Sequence, residues 1–192
     1  MNQAIKRLAL LPLCAIVTLA NSSAPLNYRL DAGNSNVTAK VSFLGLGSRS
    51  AQFPKMSGTV AIVPDRPQQA QIDVSFDASA LTSSDSSTTT RLKGDKFFYT
   101  AKYPTIRFTG RSLKMSSATK GSVTGQLTAR GVTRTETLNI TFDTNPFKVA
   151  RGRAVSFTGT TRIDRRQYGM KSYQLIVGNK VDITLKARMV PR

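Results

Sequence analysis

Glu136 is the only glutamate in the 192-residue chain, nine aspartates are scattered along it, and it contains no histidine. That inventory bounds the chemistry. Without an imidazole there is no Ser-His-Asp or Cys-His arrangement and no His ligand for zinc, and the one cysteine, Cys14, sits in an apolar N-terminal run. No two aspartates fall at a recognisable acid–base spacing, although carboxylates distant in sequence can still meet in space. Serine and threonine are plentiful, but activating one would require a lysine or an unusual carboxylate, and no spacing nominates such a pair. No catalytic residue, metal site or cofactor is assigned. The residues whose spacing does suggest a task are apolar: Val41 and Phe43; Ile72, Val74 and Phe76; Ile106 and Phe108; Leu127; Leu138 and Ile140; Phe157; and the pair Phe97-Phe98 before a Tyr-Pro break. Such residues can bury each other or a hydrophobic guest.

The elements that must position them are strands. Apolar residues recur at every second position in 37–43, 72–76, 106–108, 123–129, 138–142, 155–157 and 181–189, with Thr, Ser, Lys and Arg between them. Period two marks a half-buried strand. About eight strands result, broken by Gly45-Leu46-Gly47, Pro64-Asp65-Arg66-Pro67, Arg130-Gly131, Asn145-Pro146 and Gly178-Asn179. Turns roughly every ten residues suit an antiparallel sandwich or barrel. Ser83–Lys96 resists this reading: Asp85 or Ser86 can cap a short helix toward Leu92, and a loop is the alternative. Residues 165–178 read as a loop with one helical turn.

Lys6 and Arg7 precede an uncharged run, Leu8–Ala20, followed by small residues. This is the pattern of a secretory signal peptide over residues 1–22, cleaved between 20 and 24, and the run is too short to span a membrane as a helix. Leu13 stands before Cys14 where a lipoprotein would carry a small residue. The remainder, 25–192, is long enough to bury a core in one domain without disulfides. Loss of Lys6 and Arg7 lowers the net charge from +18 to +16, and the excess is concentrated after residue 100. The basic residues are spread along strands and are not clustered with stacking aromatics, so nucleic acid is not the expected partner. A basic outer face near anionic lipid and a merely solvated face both fit.

Several blocks resemble one family. Tyr28-Arg29-Leu30-Asp31 with Ser35-x-Val37 comes first, then Leu44-Gly45 and Gly58. The most specific is Leu92-Lys93-x-x-Lys96-Phe97-Phe98-x-x-x-Lys102-Tyr103-Pro104-x-Ile106-x-Phe108. Gly125-x-Leu127-x-x-x-Gly131-Val132-Thr133, Asp164-Arg165-x-x-Tyr168-Gly169 and Val177-Gly178-x-x-Val181-x-Ile183 follow in order. Across residues 27–189 the chain resembles the YceI-like, polyisoprenoid-binding proteins. The resemblance implies an extended eight-stranded antiparallel lipocalin-like barrel, with the short helix or loop inserted near 84–98. It further implies an apolar cavity for a polyisoprenoid or related long-chain lipid, and residence in the bacterial periplasm. Relatives of this kind often pair, which leaves a homodimer open.

The chain departs from the family where members usually carry His, at Asn34 and Phe43, and in Thr88-Thr89-Thr90-Arg91-Leu92, where members carry Arg-Asp-x-His-Leu. Arg91 and Lys93 become the candidates to meet an anionic head group. Phe97 and Phe98 are expected near a barrel end, with the other apolar residues named above pointing inward. Two functions remain: a non-catalytic lipid carrier or store, or a filled barrel that acts on acidic envelope components through its basic face.

Overall fold

The computed structural model describes residues 24–149 and 152–192; residues 1–22, where the sequence suggests a signal peptide, and Cys14 among them, lie outside the described residues. Ten strand segments follow in order: β1 (Leu26–Leu30), β2 (Asn36–Phe43), β3 (Gly47–Gln52), β4 (Met56–Ile62), β5 (Gln71–Asp77), β6 (Thr105–Met115), β7 (Lys120–Ala129), β8 (Val132–Phe142), β9 (Val155–Asp164) and β10 (Val177–Pro191). One α-helix among the described residues, α1 (Ser86–Lys93), lies between β5 and β6.

Ten segments make eight strands. β1 and β2 are two halves of one strand, kinked at the short turn Ala32–Asn34, and β3 and β4 are halves of the next, kinked at Phe53. β1 pairs with β4, and β2 with β3. Every later strand pairs antiparallel with its predecessor, and the long β10 closes on both halves of the first, Leu185 against Val37 and Arg29 against Val190. The result is a closed eight-stranded antiparallel barrel with up-and-down topology, in which β3, at the end of the strand order, pairs along its length with β2 and meets Thr82 on its other side through a single bridge at Gln52.

At the kink, Arg188 seals the seam. Its backbone N–H donates to Ser35 Oγ, its carbonyl accepts from the N–H of Asp31, and its guanidinium pairs with the Asp31 carboxylate at 2.7 Å. β7 and β8 are joined by Arg130-Gly131, both with positive φ, the two-residue turn whose twist matches a hairpin. A side chain at Gly131 would also strike the Tyr103 ring, 2.6 Å from its Cβ position.

The meander sets which loops share an end. The β2–β3 turn, the α1 segment, Arg130-Gly131 and the 165–176 loop crowd one end, here the lid end. Both described termini lie at the other. α1 begins as its sequence suggests, with Asp85 accepting from the Thr88 N–H at 2.7 Å. Arg130 holds the lid together, donating to the carbonyls of Gly169 (2.7 Å) and Asp95 (2.8 Å).

The buried core is split. One cluster, including Phe53, Leu81, Ile106 and Tyr168, fills the lid end; another, including Tyr28, Val123, Phe142 and Met189, fills the terminal end. Ile72, Leu138 and Phe157 touch both clusters yet are only partly buried, although their strand positions face inward. In a solid barrel the middle would be the most buried layer. Here it is half-exposed to a lumen.

Candidate ligand-binding cavity

The lumen leaves about 150 Å³ in which the centre of a water-sized sphere can move. Its wall is apolar except for Glu136 and Thr161. A water needs two to four polar partners to stay in such a space, so most of this one is not a site for water. Lining residues run from Ile106 to Leu113 on β6 and from Glu136 to Phe142 on β8, spans of eight and seven residues, or roughly 20 Å along the strands.

The path is kept open by glycine. Gly110 and Gly125 face each other across β6 and β7 and both point inward. A Cβ on Gly125 would stand 2.6 Å from Phe108 Cζ and 2.5 Å from the Thr109 carbonyl oxygen; one on Gly110 would stand 2.6 Å from Val123 Cγ1. The Phe108 ring therefore lies back over the two bare backbones. Past them, the strand changes parity at a bulge between Arg111 and Leu113, where Ser112 takes a φ of 70° and Leu113 returns to the inner face.

Of the side chains singled out in the sequence, Ile72, Val74, Phe76, Phe98, Ile106, Phe108, Leu127, Leu138, Ile140 and Phe157 line this lumen. Val41 and Phe97 do not. They line a smaller side pocket between β2–β3 and the lid, with Leu92, Met170 and Val177; Ala39 and Phe98 border both spaces. Phe43 lines neither, because it lies at the far end of β2 beyond the closed wall, where the Arg49 guanidinium sits 5.0 Å from its ring centre. The aromatic pair divides: Phe98 meets Phe53 edge-on at 5.6 Å inside, while Phe97 stacks on Tyr173 at 5.8 Å in the lid.

Arg91 and Lys93 are not at the cavity. Leu92 turns inward from α1, and its neighbours in a helix point about 100° away on either side. Arg91 is exposed and borders only a shallow surface dip with Ser86, Ser87 and Thr90.

The charge that does line the lumen is Glu136. Its Oε1 accepts from the Tyr168 hydroxyl at 2.8 Å, and Tyr168 is fully buried. Burial foremost, then the carboxylate beside it, pushes the phenol pKa well above its ordinary value, so Tyr168 stays a donor. The alternation Glu136-x-Leu138-x-Ile140-x-Phe142 already places Glu136 on the inner face, and it is the signal that marks this residue.

A second buried group shapes the lid. Arg165 is 3% exposed, and its guanidinium donates to four carbonyls: Gly178 (2.9 Å), Met170 (2.5 Å), Ser172 (2.8 Å) and Val177 (2.9 Å). Desolvation lowers its pKa from the usual arginine value, and the carbonyls satisfy its donors without a carboxylate in contact. The loop 165–178 is wrapped around this one side chain.

A closed eight-stranded barrel with an apolar lumen and a helical lid at one end agrees with a family match: the YceI-like domain fits residues 28–189. The chain belongs to the YceI-like family. UPF0312 proteins of Pseudomonas syringae pv. syringae (strain B728a) and Pseudomonas putida (strain KT2440) are each 26% identical over 168 residues, covering 86% of this chain and 88% of theirs. Among solved structures, Burkholderia cenocepacia BcnA superposes with a TM-score of 0.73 at 22% identity, covering 83% of this chain and 98% of that one. A polyisoprenoid binding domain from Saccharophagus degradans, implicated in plant cell wall breakdown, gives 0.66 at 15% identity, with 87% and 99% covered. These likenesses establish the fold.

Proposed function

We propose that this YceI-like protein binds a long-chain lipid, a polyisoprenoid or a related amphiphile, inside the barrel, and serves as a non-catalytic carrier or store. The observation that carries the reading is the half-exposed inner wall: Ile72, Phe108, Leu127, Leu138, Phe157 and Ile183 present apolar surface to an enclosed space. Each methylene drawn from water into such a space contributes about 0.8 kcal/mol. The similarity to the Saccharophagus domain, which is described as polyisoprenoid binding, supports the ligand class. The N-terminal pattern Lys6-Arg7 and Leu8–Ala20 supports export, with the periplasm as the site of action.

The test is organic extraction of protein purified from a native-like source, followed by mass spectrometry. One lipid of a single class near one-to-one with protein is the expected result. Protein that is free of lipid, and that takes up no fluorescent prenyl or acyl probe when one is offered, overturns the proposal.

A further inference from the structure

The large apolar side chains exposed among the described residues are Leu44, Leu46, Tyr173, Leu175 and Ile176. All five lie in two loops at the lid end, and the loops touch: the Leu44 N–H donates to the Ile176 carbonyl at 2.7 Å. Leu46 is 98% exposed and Leu175 is 100% exposed. Single exposed leucines are ordinary, but a cluster on two adjoining loop tips is not.

The tips are held out by structure beneath them. Phe43 pairs with Val177 at the base, and Tyr173 stacks on the buried Phe97. Leu44 takes a φ of 54°, the left-handed region that a leucine rarely occupies, which fixes the hairpin tip away from the barrel. The charge around the tips has one sign. Residues 43–52 and 170–181 contain no carboxylate and carry Arg49, Lys171 and Lys180. The carboxylates that meet these cations are Asp164, 3.6 Å from Lys180, and Asp85, whose pKa is lowered first by Thr88 and in small part by Arg49; Asp182, just past the second loop, pairs with Arg162.

We infer that this tip docks on an anionic lipid bilayer, with Leu46 and Leu175 entering the headgroup layer and Arg49 and Lys171 beside lipid phosphates. A second copy of the chain fits less well. A two-fold contact would set Arg49 and Lys171 against like charges across the interface. Docking stands without the lipid-cargo reading. Its consequence rests on that reading: the side pocket bounded by Phe97 and Phe98 lies directly behind the tip, so the bilayer would face the space that adjoins the lumen.

The chain contains no tryptophan, so Leu46→Trp supplies a single reporter. The variant is mixed with vesicles of phosphatidylglycerol and phosphatidylethanolamine, and separately with phosphatidylcholine alone. On the anionic vesicles the emission should move to the blue and be quenched by brominated acyl chains. The double change Leu46→Asp with Leu175→Asp should lower partitioning in a flotation assay by roughly tenfold or more, with circular dichroism and lumen lipid unchanged. The inference is overturned if the double variant floats like the parent, if the parent does not float, or if the Leu46→Trp variant floats while its indole emission stays unshifted. It is equally overturned if the blue shift appears without vesicles and follows protein concentration, which would mark the tip as an interface between copies. An empty lumen with docking intact would remove the cargo proposal alone.

Discussion

The hydroxyl of Tyr168 lies 2.8 Å from Oε1 of Glu136, so a residue from the lid loop donates to the carboxylate that lines the lumen. The pair couples barrel wall to lid. Tyr168→Phe removes the donor and leaves a half-buried carboxylate short of a partner, at a cost of about 1–3 kcal/mol. Glu136→Gln keeps an acceptor oxygen and costs less. Urea denaturation of both single variants and the double should show a coupling energy above about 0.5 kcal/mol, and additive effects would mean the contact contributes nothing.

The lumen can be closed from within. Leu138 lies in the middle of the wall, its side chain 3.1–3.2 Å from where a Cβ on Gly159 would stand. Leu138→Trp should place its ring in the open space, with an overpacking cost of about 1–3 kcal/mol. Lipid recovered per protein should fall several-fold while the β-sheet circular dichroism spectrum persists. Unchanged lipid content would place the ligand elsewhere.

Arg165→Lys is not a conservative change here. Four carbonyls converge on a planar fork, and an ammonium group reaches them with fewer, differently directed donors. Loss of stability should be at least about 2 kcal/mol, since buried acceptors would be left without partners. Hydrogen exchange should quicken first in residues 170–178. An Arg165→Lys melt that matches the parent would show that the loop does not depend on the fork.

Much of this was legible from alternation, and the failures have physical causes. The inward sets on β5, β6, β8 and β9 follow period two closely, and on β6 the bulge between Arg111 and Leu113 breaks that period. The segment GSRSAQ gave no strand signal, because β3 pairs with β2 and otherwise only through one bridge from Gln52 to Thr82, and it is exposed over most of its length, so no burial imposes a pattern on it. Phe43 and Val41 alternate correctly but belong to the part of β2 that runs past the closed wall. Arg91 and Lys93 were charged residues in a plausible place, yet a helix that turns Leu92 inward must carry both of them away. Alternation does not separate Arg165 from its neighbour Arg166; only the family-like block Asp164-Arg165-x-x-Tyr168-Gly169 does, and the fold of the loop buries the first and leaves the second half-exposed.

Acid should loosen the lid before the barrel. Arg166 donates to the Asp164 carboxylate at 2.6 Å and its backbone N–H donates at 3.0 Å; with Lys180 nearby, these hold the Asp164 pKa well below the ordinary carboxylate range. The Asp164 side chain is only 6% exposed. A carboxylate whose pKa is depressed by folding adds stability that is complete above the unfolded value, near 4, and is lost as pH falls toward the folded one. Asp31, Asp73 and Asp182 are lowered in the same direction, by Asn34 and Arg188, by Arg107, and by Arg162 respectively. The melting temperature should therefore hold from pH 7 to about 5 and fall steadily below about 4. Asp164→Asn should lower it at neutral pH and flatten the acid slope, and the exchange of 165–178 should quicken in acid ahead of the strand amides. A variant with the parent's acid slope would show that the other aspartates carry the dependence, and that Asp164 caps the loop without governing its response to pH.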